Sequence, residues 1–177
     1  MLLLRHGQSE FNAVFTKTRV DPLIPDPPLT EEGRAQALAA ARALAGAGVR
    51  RLISSPYRRA LQTAAILSHA LEIAVEIEPL VRERAAFHCD IGSSPATLAA
   101  GFPGWRFEHL DDPWWHDHVR LGAPESEEAL SARAERFRDA MAHAPLREET
   151  LVVTHWGFIR ALAGQAVGNC ETVRLAR

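Results

Sequence analysis

Two short stretches of this chain put imidazoles where ligand chemistry is done. Leu2-Leu3-Leu4 stops at Arg5-His6-Gly7, and Thr150-Leu151-Val152-Val153-Thr154 stops at His155-Trp156-Gly157. An apolar run of this length closed by a glycine reads as a buried parallel strand, and open α/β sheets bind ligands beyond the carboxyl ends of such strands. Imidazole can act as nucleophile or base near neutral pH, and guanidinium offers a rigid fork of donors to anions such as phosphate. One histidine after one strand is more often structural; the recurrence marks the pair as a candidate site.

The elements that must position these groups are bounded by length and composition. A chain of 177 residues, 47% of them apolar, suits one domain with a substantial core. The net charge of −2 provides no basic field for nucleic acid. Nineteen of the 20 basic residues are arginines, with Lys17 the one lysine, a bias that a GC-rich genome explains for most of them. Cys89 and Cys170 fit neither a disulfide framework nor a zinc site and read as free thiols. The amino terminus does not read as a leader, and no run reaches the ~18 apolar residues of a membrane span. A cytoplasmic protein without membrane or nucleic-acid partners is expected, its oligomeric state open.

In chain order, Asn12 to Pro28 reads as an extended connector because Pro25-Asp26-Pro27-Pro28 forbids helix. Thr30 caps a helix that ends at Gly46 and Gly48. Arg51–Ser55 is a second strand, and Pro56 opens a helix with Arg58 in its first turn and Ala60, Leu61, Ala64, Leu67 and Leu71 as its buried stripe. Ala74–Glu78 is a third strand. This βαβ alternation predicts a parallel sheet. Residues 80–124 break the pattern as an irregular, functional insert rich in Gly, Pro, Trp and His, after which Glu125 to His143 is helical and Glu171 to Leu175 is a short edge strand.

Together, Leu4-Arg5-His6-Gly7-Gln8-Ser9-Glu10-Phe11-Asn12, Ser54-Ser55-Pro56-Tyr57-Arg58-Arg59-Ala60-Leu61-Gln62-Thr63 and Val153-Thr154-His155-Trp156-Gly157 resemble the histidine phosphatase superfamily, the phosphoglycerate-mutase-like group. The resemblance implies an α/β fold, a three-layer α/β/α sandwich with a mostly parallel sheet. It implies His6 as the nucleophile that forms a phosphohistidine, with Arg5, Arg58 and His155 around the phosphoryl group and Asn12 as a neutral donor. Backbone N–H groups at the helix start near Arg58 would add to an anion site. By position after the third strand, Glu83 matches the family's general acid, with Asp90 in reserve because the segment after Glu83 departs from the usual pattern. The chemistry implied needs no metal and no cofactor.

Phe11 and Trp156, bulky where the family varies, are read as core, Gln8, Ser9 and Glu10 as loop supports, and Thr63 as helix rather than site. His116 and His118 lack the spacing of a metal site and read as solvated. Trp114 and Trp115 are expected in a lid that selects the leaving group. The leading function is hydrolysis of a small phosphomonoester; a phosphoglycerate mutase, using Arg82, Arg84 and His88 to retain a bisphosphorylated intermediate, and a catalytically lapsed phospho-ligand binding module are the alternatives.

Overall fold

The computed structural model describes residues 1–175; residues 176 and 177, within the expected single domain of 1–177, lie outside the described residues. Five strands, β1 (Leu2–Arg5), β2 (Arg51–Ser54), β3 (Val75–Ile77), β4 (Thr150–Thr154) and β5 (Thr172–Arg174), form one sheet in the order β3-β2-β4-β1-β5. The first four are parallel, and β5 runs antiparallel along β1.

Period-two side-chain alternation divides each central strand between two apolar layers. Leu3, Ile53 and Val152 face α6 (Glu127–Ala142) and α7 (Trp156–Ala163) through Leu130, Phe137, Phe158 and Ile159. Leu4, Leu52, Leu151 and Val153 face α2 (Glu31–Leu44) and α3 (Arg58–Leu71) through Ala41, Leu44, Ala60, Ala64 and Leu67. Helices therefore cover both faces of a mostly parallel sheet, the three-layer α/β/α sandwich expected. Among the described residues, no helix is long and apolar enough to cross a membrane.

Two expectations change. The connector from Asn12 to Pro28 contains helix α1 (Glu10–Thr18). The Asn12 N–H donates to Ser9 Oγ at 3.3 Å and the Ser9 N–H to Asn12 Oδ1 at 3.1 Å, a reciprocal cap that nucleates the helix. Phe11 and Phe15 then stack one turn apart, with centroids 4.9 Å apart. Only residues 19–28 are irregular.

Residues 80–124 are likewise more ordered than expected. They carry α4 (Pro95–Gly101) and α5 (His118–Leu121) and pack Leu98, Phe107, Leu110 and Trp114 onto Tyr57 and Leu61. Trp114 is no lid residue: it is buried, stands edge-on to Tyr57 at 4.7 Å, and its Nε1–H donates to Ser93 O at 2.9 Å. Trp115 packs against the same cluster. Gly92 has no room for a Cβ, which would meet Trp114 at 2.4 Å and Trp115 at 2.7 Å. Apolar area on these indoles is better spent against α3 than over an open site.

Candidate active site

Strand register builds the site. Arg5 pairs with Thr154, so the residues that follow both strands emerge side by side. The His6 N–H donates to Thr154 O at 2.9 Å, and the His6 and His155 rings lie 5.0 Å apart at 58°. Ser55 joins them from β2, its N–H on Val153 O. Sequence places these residues 149 positions apart; the parallel ladder makes them neighbours.

His6 is almost fully buried, and its Nδ1 lies 2.7 Å from Gly7 O. Next to a carbonyl, Nδ1 must carry the proton, which leaves the lone pair on Nε2. Burial above all, then the charges of Arg59 and Arg5, push its pKa well below the ordinary 6.5. His6 is neutral at pH 7. Its loop is wedged against the start of α2: a Cβ on Gly7 would meet Gly33 O at 2.4 Å, and one on Gly33 would meet Gln8 O at 2.0 Å. The Gly7 N–H donates to Thr63 Oγ1 at 3.1 Å, so Thr63 supports the site as well as the helix.

His155 is fully buried behind His6. Its Nε2 lies 2.8 Å from Ser55 Oγ, whereas its Nδ1 is buried without a partner. The Arg5 guanidinium donates through Nη1 to Val167 O at 2.9 Å, and its Nε is also buried and unpartnered. Arg5 lines the cavity with His6, whereas His155 stands behind His6 and is not part of the lining.

The second arginine of the site is Arg59, not Arg58. Arg58 is exposed, whereas Arg59 is 3% exposed and lines the same cavity as Arg5, His6, Asn12 and Glu83. The helical turn decides this: Arg59 shares a face with the buried Thr63, four residues on, and Arg58 points the other way. Nor does the start of α3 await an external anion, because the Arg58 N–H donates to Asp26 Oδ1 at 2.8 Å. The Asp26 carboxylate, which also accepts from the Ser93 N–H and Oγ–H, caps the helix.

Asn12, whose Oδ1 accepts from the Ser9 N–H and Oγ–H, lines the cavity. Glu83 also lines it, with Oε1 accepting the Arg84 N–H at 2.8 Å and the Gly157 N–H at 3.0 Å. Burial, then the nearby Asp90, raise its pKa above the ordinary 4.5. A carboxyl group that stays protonated to higher pH is what proton donation requires. Gly157 makes room for it, since a Cβ there would lie 2.4 Å from Glu83 Oε1.

Asp90 has both oxygens committed as acceptors, one of them to an arginine. Its Oδ1 accepts from Arg59 Nη2 at 3.1 Å, and its Oδ2 from the Ala86 and Phe87 N–H groups at 3.1 Å each. Arg59 Nη1 donates to Cys89 O at 2.7 Å.

The cavity measures about 620 Å³ and reaches from His6 past Phe11, Phe15 and Phe87 to Trp156, Arg19 and Arg160. Trp156 is not core: it is 39% exposed and lies under the Arg160 guanidinium. Phe11 is buried yet forms part of the wall. Of residues 80–124, only the span from Glu83 to Asp90 contributes to the lining. His116 Nε2 is used on Ala123 O, and no group of three or more His, Cys, Asp or Glu side chains suited to a metal occurs among the described residues.

The profile of the histidine phosphatase superfamily (branch 1) matches residues 1–173. A glucosyl-3-phosphoglycerate phosphatase of Mycolicibacterium vanbaalenii is 31% identical over 171 residues, covering 95% of this chain and 74% of that protein. A probable phosphoglycerate mutase of Cronobacter sakazakii is 27% identical, covering 94% and 74%. The solved structure of a mycobacterial glucosyl-3-phosphoglycerate phosphatase in complex with VO3 matches at a TM-score of 0.65 and 27% identity, covering 97% of this chain and 88% of that one.

Proposed function

The chain belongs to the histidine phosphatase superfamily, branch 1, and we propose that it hydrolyses small phosphomonoesters in the cytoplasm, without a metal, through a phosphohistidine on His6. The observation that carries this reading is the neutral His6 with its lone pair on Nε2, set in a cavity beside Arg5, Arg59 and Glu83. The phosphatase names among the relatives and the unpaired thiols of Cys89 and Cys170, which suit a reducing compartment, agree with it.

In the first step Nε2 attacks phosphorus in line with the ester oxygen. The N–P bond forms as the P–O bond breaks, and Glu83 gives its proton to the departing alkoxide. Arg5 and Arg59 neutralise the charge on the transferring oxygens, and Asn12 donates through its amide. Ser55 Oγ accepts from the Tyr57 N–H at 3.4 Å and can turn its proton to His155 Nε2, which puts the His155 proton on Nδ1 as a further donor. In the second step the Glu83 carboxylate takes a proton from water, which attacks phosphorus and releases phosphate and neutral His6.

Three side chains that a mutase would need for its second phosphate are already committed. Arg82 pairs with Glu125 at 3.3 Å, Arg84 with Glu127 at 2.9 Å, and His88 Nδ1 lies 3.2 Å from Asp21. This favours hydrolysis over mutase chemistry. Turnover of an aryl phosphate in EDTA, with labelled phosphate trapped on the wild type and absent from His6→Ala, tests the reading. Inertness of the wild type or EDTA-sensitive turnover overturns it, and inertness with tight phosphate binding points to the binding module.

A further inference from the structure

The cavity is charged at one end and aromatic along its wall. Phe11, Phe15 and Phe87 touch one another with centroids 4.9, 5.5 and 5.0 Å apart, and Phe87 is 38% exposed. This cluster is built rather than incidental. Asp21, just beyond α1, accepts from the His88 N–H at 3.0 Å, and Asp90 accepts from the Phe87 N–H, so the loop that carries Phe87 is tied on both sides of that ring. Trp156 adds a fourth aromatic side chain. A phosphorylated polyol would leave such a wall facing water, whereas a flat apolar leaving group would cover it.

The arginines of the lining divide into two sets. Arg59 is neutralised by Asp90 and Arg84 by Glu127, while Arg5 is anchored on Val167 O beside His6. Arg19 and Arg160 have no carboxylate partner among the described residues. Each is held over an aromatic ring instead, Arg19 at 5.9 Å from the Phe15 centroid and Arg160 at 4.6 Å from the Trp156 centroid. Stacking holds a guanidinium by its face and leaves its N–H edge to a ligand.

Resting on the hydrolase reading, we propose that the site selects phosphomonoesters whose leaving group is aromatic and carries a carboxylate: the ring lies on Phe11, Phe15 and Phe87, and Arg19 and Arg160 bind the carboxylate.

The test compares kcat/KM for p-tolyl phosphate, its p-carboxymethyl analogue and 3-phosphoglycerate. The methylene spacer keeps the two phenols similar as leaving groups, so their ratio reads binding of the carboxylate. A charge-assisted, bidentate contact predicts a preference of about tenfold or more for the carboxymethyl ester. In the Arg19→Gln/Arg160→Gln double variant the ratio should collapse towards one, while Arg58→Gln keeps it. Phe87→Ala should lower kcat/KM for the aryl esters about tenfold more than for 3-phosphoglycerate. A wild-type ratio near one, a preference that survives the double variant, or equal losses on aryl and glycerate esters in Phe87→Ala overturns the inference while leaving the hydrolase reading intact. No turnover of any of the three esters overturns the hydrolase reading and the inference with it.

Discussion

Asp90 grips Arg59 inside the protein: Oδ1 and Nη2 are 3.1 Å apart, and the two side chains are 2% and 3% exposed. The same carboxylate accepts the Ala86 and Phe87 N–H groups, so one residue fixes both the arginine of the site and the loop that carries part of its wall.

Arg59→Gln should therefore lower kcat by ~10²–10³, the usual loss for a preorganised charged donor, while Arg58→Gln stays within about threefold. Steady-state kinetics on one aryl phosphate decides between the two. Asp90→Ala leaves a buried guanidinium unpaired and should cost about 3–5 kcal/mol in urea unfolding; a loss below ~1 kcal/mol would show that Cys89 O alone suffices to hold Arg59.

Glu83→Gln should cost ~10²–10⁴ on esters of poor leaving groups and much less on activated ones, because only the former need a proton. Gly157→Ala should act the same way at a distance from phosphorus, since its Cβ would displace Glu83 Oε1. Plotting log kcat against leaving-group pKa for both variants checks this; unchanged slopes would remove Glu83 from the acid role.

The pH profile follows from the two shifted groups. Protonated His6 cannot attack, and its pKa lies well below 6.5, so activity should persist as pH falls through the range where an ordinary imidazole protonates. Glu83, raised above 4.5, donates until pH rises through its pKa, which sets the alkaline limb. Removing a neighbouring positive charge raises the pKa of His6, so the acidic limb of kcat/KM in Arg5→Gln should move up in pH. An acidic limb that stays put in that variant would mean that His6 does not set it.

Trp114→Ala should destabilise the protein by about 3–5 kcal/mol, the range for a large buried aromatic, without a selective rise in KM, because the ring packs on Tyr57 and lies outside the cavity wall. Chemical denaturation with parallel kinetics separates this from a lid, which would raise KM and leave stability nearly unchanged.

The residues themselves determined the frame. Apolar runs ending in Arg5-His6-Gly7 and His155-Trp156-Gly157, with helical stripes between short strands, are local signals. They were enough for a parallel sheet with Arg5 and His6 at its carboxyl edge, whereas the three-layer sandwich and the choice of Asn12 and Glu83, both of which line the cavity, came from the family resemblance. Reading Asn12 to Pro28 as a connector on the strength of its prolines missed α1, whose local signals are the Ser9–Asn12 cap and the Phe11/Phe15 spacing.

Tertiary structure decided everything that depends on which way a side chain faces. Arg58 and Arg59 are adjacent and chemically identical, and only the rotation of α3 against the sheet places one in solvent and the other in the cavity with His6. Asp90 is buried and Glu83 half-buried, and long-range partners, Arg59 for one and the start of α7 for the other, set them apart further. Trp114 stands in polar-looking sequence yet fills a core, whereas Trp156 stands in an apolar stretch yet faces the cavity. Sequence patterns encode periodicity along the chain, whereas burial and charge pairing are set by neighbours that folding brings from a distance.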